Sequence, residues 1–232
     1  MKDKCEILND SEMNLLSYEK ALEKDDRTFL QYYLSLLKTK HILIFSFFQF
    51  KDYNSQMIKI YIFFFTFAIN YVVSAMFYSD ATMHKIYVDH GSFDFTYQLP
   101  KMIYSLLIST LLKFLLNFLG LYEKEIMQIK NKAIVNKNMS KIYFKIKCKI
   151  ISFFIITFIF NFLLWFYLGC FCAVYINTQI HLFIDVISSF VLSFISPFII
   201  YLLPGILRIP SLKDKTGKKY LMFKFSQILQ NL

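Results

Sequence analysis

Residues 150–175 read IISFFIITFIFNFLLWFYLGCFCAVY, an unbroken run with one amide, Asn161, and no charged side chain. At 1.5 Å per residue a helix of this length reaches ~39 Å, more than the ~30 Å of a bilayer's hydrocarbon core. Three further runs have the same character: Ile60–Tyr78, Met102–Tyr122 and Leu182–Leu207. The charges between them set an orientation. Of 26 Lys and Arg, nine precede the first run, two lie between the first and second, and eight between the second and third. None separates the third from the fourth, six fall at or beyond the end of the fourth, and Lys113 alone is inside a run. Basic and charge-poor segments alternate at every crossing, the pattern that positive-inside insertion produces. The expected fold is all-α: a polytopic membrane protein of four transmembrane helices with both termini in the cytosol. Residues 1–58 form a cytosolic preface, 59–207 the four-helix membrane domain and 208–232 a basic cytosolic tail.

Composition excludes other classes. Soluble domains carry about 25% charged residues, whereas this chain has 18%, with 28 Phe and 16 Tyr. Its net charge of +10 is dispersed between apolar runs, so no basic stripe is expected to hold nucleic acid. Topology and attraction to anionic lipid headgroups account for it. Residues 1–28 contain no signal-peptide core, so insertion is expected to begin with the run at Ile60. Cys5, Cys148, Cys170 and Cys172 suggest no disulfide framework. Cys148, among Lys145, Lys147 and Lys149, is a juxtamembrane position suited either to plain packing or to acylation.

Both ends carry amphipathic patterns. Asp10 or Ser11 can cap a helix whose face is Leu15, Tyr18 and Leu22, and a second helix starts near Asp26 and runs to Leu37. Ile42–Phe50 is too short to cross and is expected at the cytosolic interface, flanked by Lys38, Lys40 and Lys51. Pro204-Gly205 and Pro210 should end the fourth span. Past the basic link 213–219, Leu221, Phe225, Ile228 and Leu232 recur at helical spacing. That element either lies on the membrane or packs on the preface helices. Glycosylation sequons start at Asn9 and Asn138, both on the side assigned to the cytosol.

Polar residues within the spans are costly and mark where function can reside. Lys113 either extends to headgroups or faces a polar interior with Asn117. Asp185 either caps the fourth span or binds a proton or cation. Ser189 and Ser193 form a small-xxx-small pair that suits close helix packing, or a lining of a transport path ahead of the kink expected at Pro197. Asn70 and Asn161 suit helix-to-helix hydrogen bonds. Between the first two spans, Asp80 and His84 share a helical face, and Asp89 and His90 follow. This segment is a candidate partner or ion site, although no spacing in it matches a metal motif. Lys141, Lys145, Lys147 and Lys149 are candidates for anionic-lipid contact, each worth about 1 kcal/mol. No catalytic motif and no cofactor-binding motif is present.

Several strings together resemble a known group: 25–33 (DDRTFLQYY), 82–87 (TMHKIY), 170–179 (CFCAVYINTQ) and 203–210 (LPGILRIP). They are similar to the C-terminal multi-span membrane region of large uncharacterised transmembrane proteins of AT-rich protist genomes. The resemblance covers nearly the whole chain, implies no activity and transfers no functional residue. It leaves two cases open, a free-standing four-span protein and one piece of a longer protein. The functional expectation is a non-enzymatic membrane anchor or assembly protein that binds anionic lipid and a protein partner or further copies of itself. The alternative is a subunit of an oligomeric cation channel or transporter.

Overall fold

The computed structural model describes residues 8–50, 52–92, 94–131, 139–213 and 219–230. Cys5, Lys51, the sequon residue Asn138, the link residues 214–218 and Leu232 lie outside the described residues. The described residues form α-helices and no strand. Four helical stretches are long and apolar enough to cross a membrane, in accord with the four runs: Gln56–Met76, Phe95–Met127, Ser140–Val174 and Ile176–Lys213. The chain divides into two compact units, one of Met1–Tyr53 with Phe194–Leu232 and one of Asn54–Ser193.

The second unit is built around one helix. In order it contains α5 (Gln56–Met76), α6 (Asp80–Val88), α7 (Phe95–Gly120), α8 (Glu123–Asn131), α9 (Met139–Val174) and the first part of α10 (Gln179–Ile200). Ile58, Ile62, Phe65, Ile69 and Val73 recur three and four apart along α5 and close on Leu116 of α7 and Phe153 of α9. That seam makes α5 the centre: 56% of its apolar window is buried, against 22%, 11% and 17% for the other three. Gly120 permits the closest approach, since a Cβ there would lie 2.9 Å from Phe153 Cε2 and 3.1 Å from Ile62 Cδ1. Two helices begin well before the apolar runs. Asp94 caps α7, its side chain accepting from the Tyr97 amide, so the helix includes Lys101. Helix α9 is 36 residues long, ~54 Å at 1.5 Å per residue, and its basic first turns extend past any ~30 Å hydrocarbon layer.

The first unit joins the two ends of the chain: α1 (Asp10–Asn14), α2 (Tyr18–Lys24), α3 (Phe29–Lys40), α4 (Ile42–Phe47), the end of α10, α11 (Leu202–Lys213) and α12 (Tyr220–Leu229). The first preface helix is split in two, and its cap is Asn9, paired reciprocally with Glu12, instead of Asp10 or Ser11. The split has a physical cause. The carbonyls of Met13, Asn14 and Leu16 accept from Arg208, Gln230 and Gln227 of the C-terminal segment, so they do not continue a helical ladder. Thr28 and Gln31 form the capping box of α3.

The expected end of the fourth span is corrected. Helix α10 passes through Pro197 and breaks at Tyr201, and Pro204 and Gly205 then lie inside α11. Pro204 falls in the first turn of α11, where a missing amide costs nothing. Just before the break, the Phe198 carbonyl accepts from the Tyr33 hydroxyl at 3.0 Å. Tyr32, Leu36 and Leu37 of α3 and Tyr201 form the unit's core.

Helix α12 packs on the preface helices through one face. Phe223, Ser226 and Gln230 are buried, with Phe223 against Tyr18 and Gln230 accepting from the Tyr32 hydroxyl. The apolar face read from the sequence, Leu221, Phe225 and Ile228, stays exposed.

Candidate functional site

Within the helix bundle of the second unit, Asn70 is the hub of a buried polar network. Its Nδ2 donates to Ser189 Oγ at 2.8 Å, and its Oδ1 accepts from Ser105 and Ser109 at 3.3 Å each. Ser105 also shares a 2.8 Å bond with Ser74. All five side chains are buried. Asn70 thus ties α5 to α7 and α10, the packing role read from the sequence. Ser189 takes part. Ser193 does not, donating instead to the carbonyl of Phe190 within its own helix. Lys113 is half-buried on α7, one turn before Asn117.

Asp185 is not a helix cap. Helix α10 starts at Gln179, which places Asp185 well inside it with only 3% exposure. Its Oδ2 accepts from the Tyr78 hydroxyl at 2.5 Å. The cation that approaches this carboxylate is Lys101, whose Nζ lies 4.5 Å from the centroid of the Tyr78 ring and within electrostatic reach of Asp185. Lys101 immediately precedes the second apolar run, so the sequence reading left it in the connecting loop. The signal that could have found it was Asp94, a good N-cap seven residues ahead.

The segment between α5 and α7 does not assemble Asp80, His84, Asp89 and His90. Asp80, His84 and His90 are exposed and Asp89 half-buried. Among the described residues no group of three or more His, Cys, Asp or Glu lies close enough to hold a metal ion. Instead Ser79 caps α6, and His90 and Gly91 end it with φ of 50° and 82°, a left-handed turn suited to glycine. Lys85 then bridges to Asp94 at 3.0 Å. The amide of Tyr97, followed by Lys85, holds the Asp94 carboxyl below its usual range.

At the start of α9 the four lysines separate into two kinds. Lys149 donates to the Leu121 carbonyl at 2.6 Å and to Glu125 at 3.1 Å, and Lys145 lies 3.6 Å from Glu125. Lys141 and Lys147 are exposed, as is Cys148. Lys149 is therefore held against Glu125 and the Leu121 carbonyl, whereas Lys141, Lys145 and Lys147 stay exposed.

The first unit contains a site the sequence reading missed. Arg208, wholly buried, donates to Asp25 Oδ2 through Nε (3.1 Å) and Nη2 (2.8 Å) and to the Met13 carbonyl at 3.0 Å. The faces of Tyr32 and Phe223 sandwich its guanidinium at 5.0 and 4.8 Å. Arg27 grips the same carboxylate at 2.7 and 2.9 Å. Burial by itself raises the Asp25 carboxyl, but the bonds and charge of Arg27 and then Arg208 prevail and hold it below the ordinary value. Burial likewise pushes the Tyr32 phenol up to about 12. Beside this network a cleft of about 850 Å³ opens between α2 and α11, with Glu19, Glu23 and Asp26 exposed around it and Leu22, Ile209 and Leu212 on its walls. The clamp ties α1 and the link between α2 and α3 to α11.

No protein-family model matches the chain, and neither a curated protein nor a solved structure matches it.

Proposed function

We propose that the protein is a non-catalytic membrane anchor or assembly protein, its termini cytosolic, that binds anionic lipid and a protein partner. The observation that carries this reading is the Asn70 network. The buried hydroxyls and amide of this network are spent on one another, which suits helix packing and leaves them unavailable to line a path. Further support comes from the surfaces. The window of α9 is only 11% buried within the chain, leaving Phe158, Phe162, Trp165 and Phe166 for lipid or partner. Helix α12 presents Leu221, Phe225 and Ile228 outward beside Lys224, as an interfacial helix does. Lys141 and Lys147 together add about 2 kcal/mol near an anionic surface.

The test uses the purified full chain in liposomes. Ion flux should not exceed that of empty vesicles, and Lys141→Gln with Lys147→Gln should reduce retention of anionic lipid by the purified protein. The alternative, a subunit of an oligomeric cation channel or transporter, draws on Asp185 and Lys113. Flux that disappears in Asp185→Asn and Lys113→Leu would overturn the anchor reading in its favour.

A further inference from the structure

Where α7 and α10 begin and α5 ends, a group of ionisable side chains remains that helix packing does not require. Asp185 Oδ2 is taken by the Tyr78 hydroxyl, but Oδ1 is buried with no hydrogen-bond donor among the described residues. Lys101 Nζ is buried with no acceptor among them, although it stands over the Tyr78 ring. Gln98, three residues earlier on the same side of α7, is 3% exposed and leaves Oε1 open in the same way. The titratable groups around Asp185 are Tyr78 from the end of α5, with Tyr71 behind it, Lys101 from α7, and the buried His181 of α10 itself.

A carboxylate and an ammonium buried together compensate each other's lost hydration, whereas either left alone is strongly disfavoured. Lys101 already supplies positive charge to Asp185, so the site has little use for a metal ion. It retains one open carboxylate oxygen of the right kind for a proton. Neutralising that oxygen would leave the ammonium with only an aromatic face for company, a partial substitute for a counter-charge. Lys101 also has a way out. It lies six residues from the start of α7 at Phe95, ~9 Å along the axis, and its flexible stem can carry the ammonium to the headgroups while staying in apolar surroundings.

We infer that Asp185 is a proton-binding site and that its protonation releases Lys101 from the cluster to the membrane surface. One proton adds to Oδ1, the Tyr78 hydroxyl stays on Oδ2, and Lys101 leaves with its charge intact. The site does not depend on the anchor reading.

The full chain in nanodiscs, open to reagent from both sides, tests this at one fixed pH with a water-soluble amine-reactive label read by peptide mass spectrometry. Asp185→Asn serves as the permanently neutral form. Lys101 should label several-fold more in Asp185→Asn than in the wild type, with Lys85 unchanged. Tyr78→Phe, which keeps the ring and the carboxylate, should leave Lys101 shielded. Equal labelling of wild type and Asp185→Asn overturns the inference, as does labelling in Tyr78→Phe that matches Asp185→Asn, because loosening alone would then suffice. Infrared spectroscopy on folded protein covers the case in which Asp185→Asn does not fold. A protonated-carboxyl band that develops at higher pH in Lys101→Met than in wild type supports the site, and a band at the same pH in both overturns it.

Discussion

Replacing Asp25 by Asn should open the first unit more readily than replacing either arginine that holds it. Among the described residues, Asp25 is the one carboxylate placed against both Arg27 and Arg208, and its side chain and that of Arg208 are fully buried. Asparagine keeps the shape but withdraws the counter-charge from two guanidinium groups at once. Removing one partner of a buried pair costs about 3–5 kcal/mol. Arg208→Met is milder, because Arg27 still grips the carboxylate through two bonds. It forfeits the bonds to Asp25 and to the Met13 carbonyl, about 1–3 kcal/mol in all. Amide hydrogen exchange of peptides from α12 reads both, since α12 is docked through Phe223 and Gln230 onto this network. A tenfold change corresponds to about 1.4 kcal/mol, so protection should fall roughly 140- to 3,700-fold in Asp25→Asn and less in Arg208→Met. Equal or reversed losses would refute the idea that one carboxylate neutralises both arginines. Unchanged protection in both would show that α12 is held by its apolar contacts alone.

The same unit should have two pH limits. The folded Asp25 lies below the ordinary 3.8, so its contribution is complete above that value and is lost as pH falls through the lower folded one. Tyr32 is raised from 10.0 to about 12, so the stability it contributes is intact below pH 10 and lost as pH rises toward 12. Exchange of α12 across pH checks both limbs. In the bundle, Asn70→Leu removes three interhelical hydrogen bonds at about 0.6 kcal/mol each, a loss near 2 kcal/mol in detergent unfolding experiments. Gly120→Ala should cost about 1–3 kcal/mol by driving a methyl into Phe153. Gly169→Ala, where nothing lies within 4 Å, should be neutral or stabilising by up to about 1 kcal/mol; thermal midpoints of the two variants distinguish them.

The four apolar runs were legible because length and hydropathy are properties of contiguous residues, and Asn70 could be read as a helix-to-helix bond because an amide in hydrocarbon needs a partner. Helix starts were less legible. Asp94 and Asn9 cap through side-chain geometry that composition does not reveal, and the early start of α7 changes Lys101 from a loop residue to a half-buried helical one. The sequence reading paired Asp185 with a capping role from its distance to the end of an apolar run, an estimate that failed once the helix began at Gln179.

From the order of residues alone follow the all-helical class, the four potential crossings and the basic segments between them, since each depends on a run of neighbours meeting water or hydrocarbon. Tertiary structure alone decided which charges meet. Asp25 and Arg208 stand 183 residues apart, Tyr78 and Asp185 stand 107 apart, and no local pattern encodes either pairing. Such pairs form because a buried charge must find its complement wherever the fold brings one.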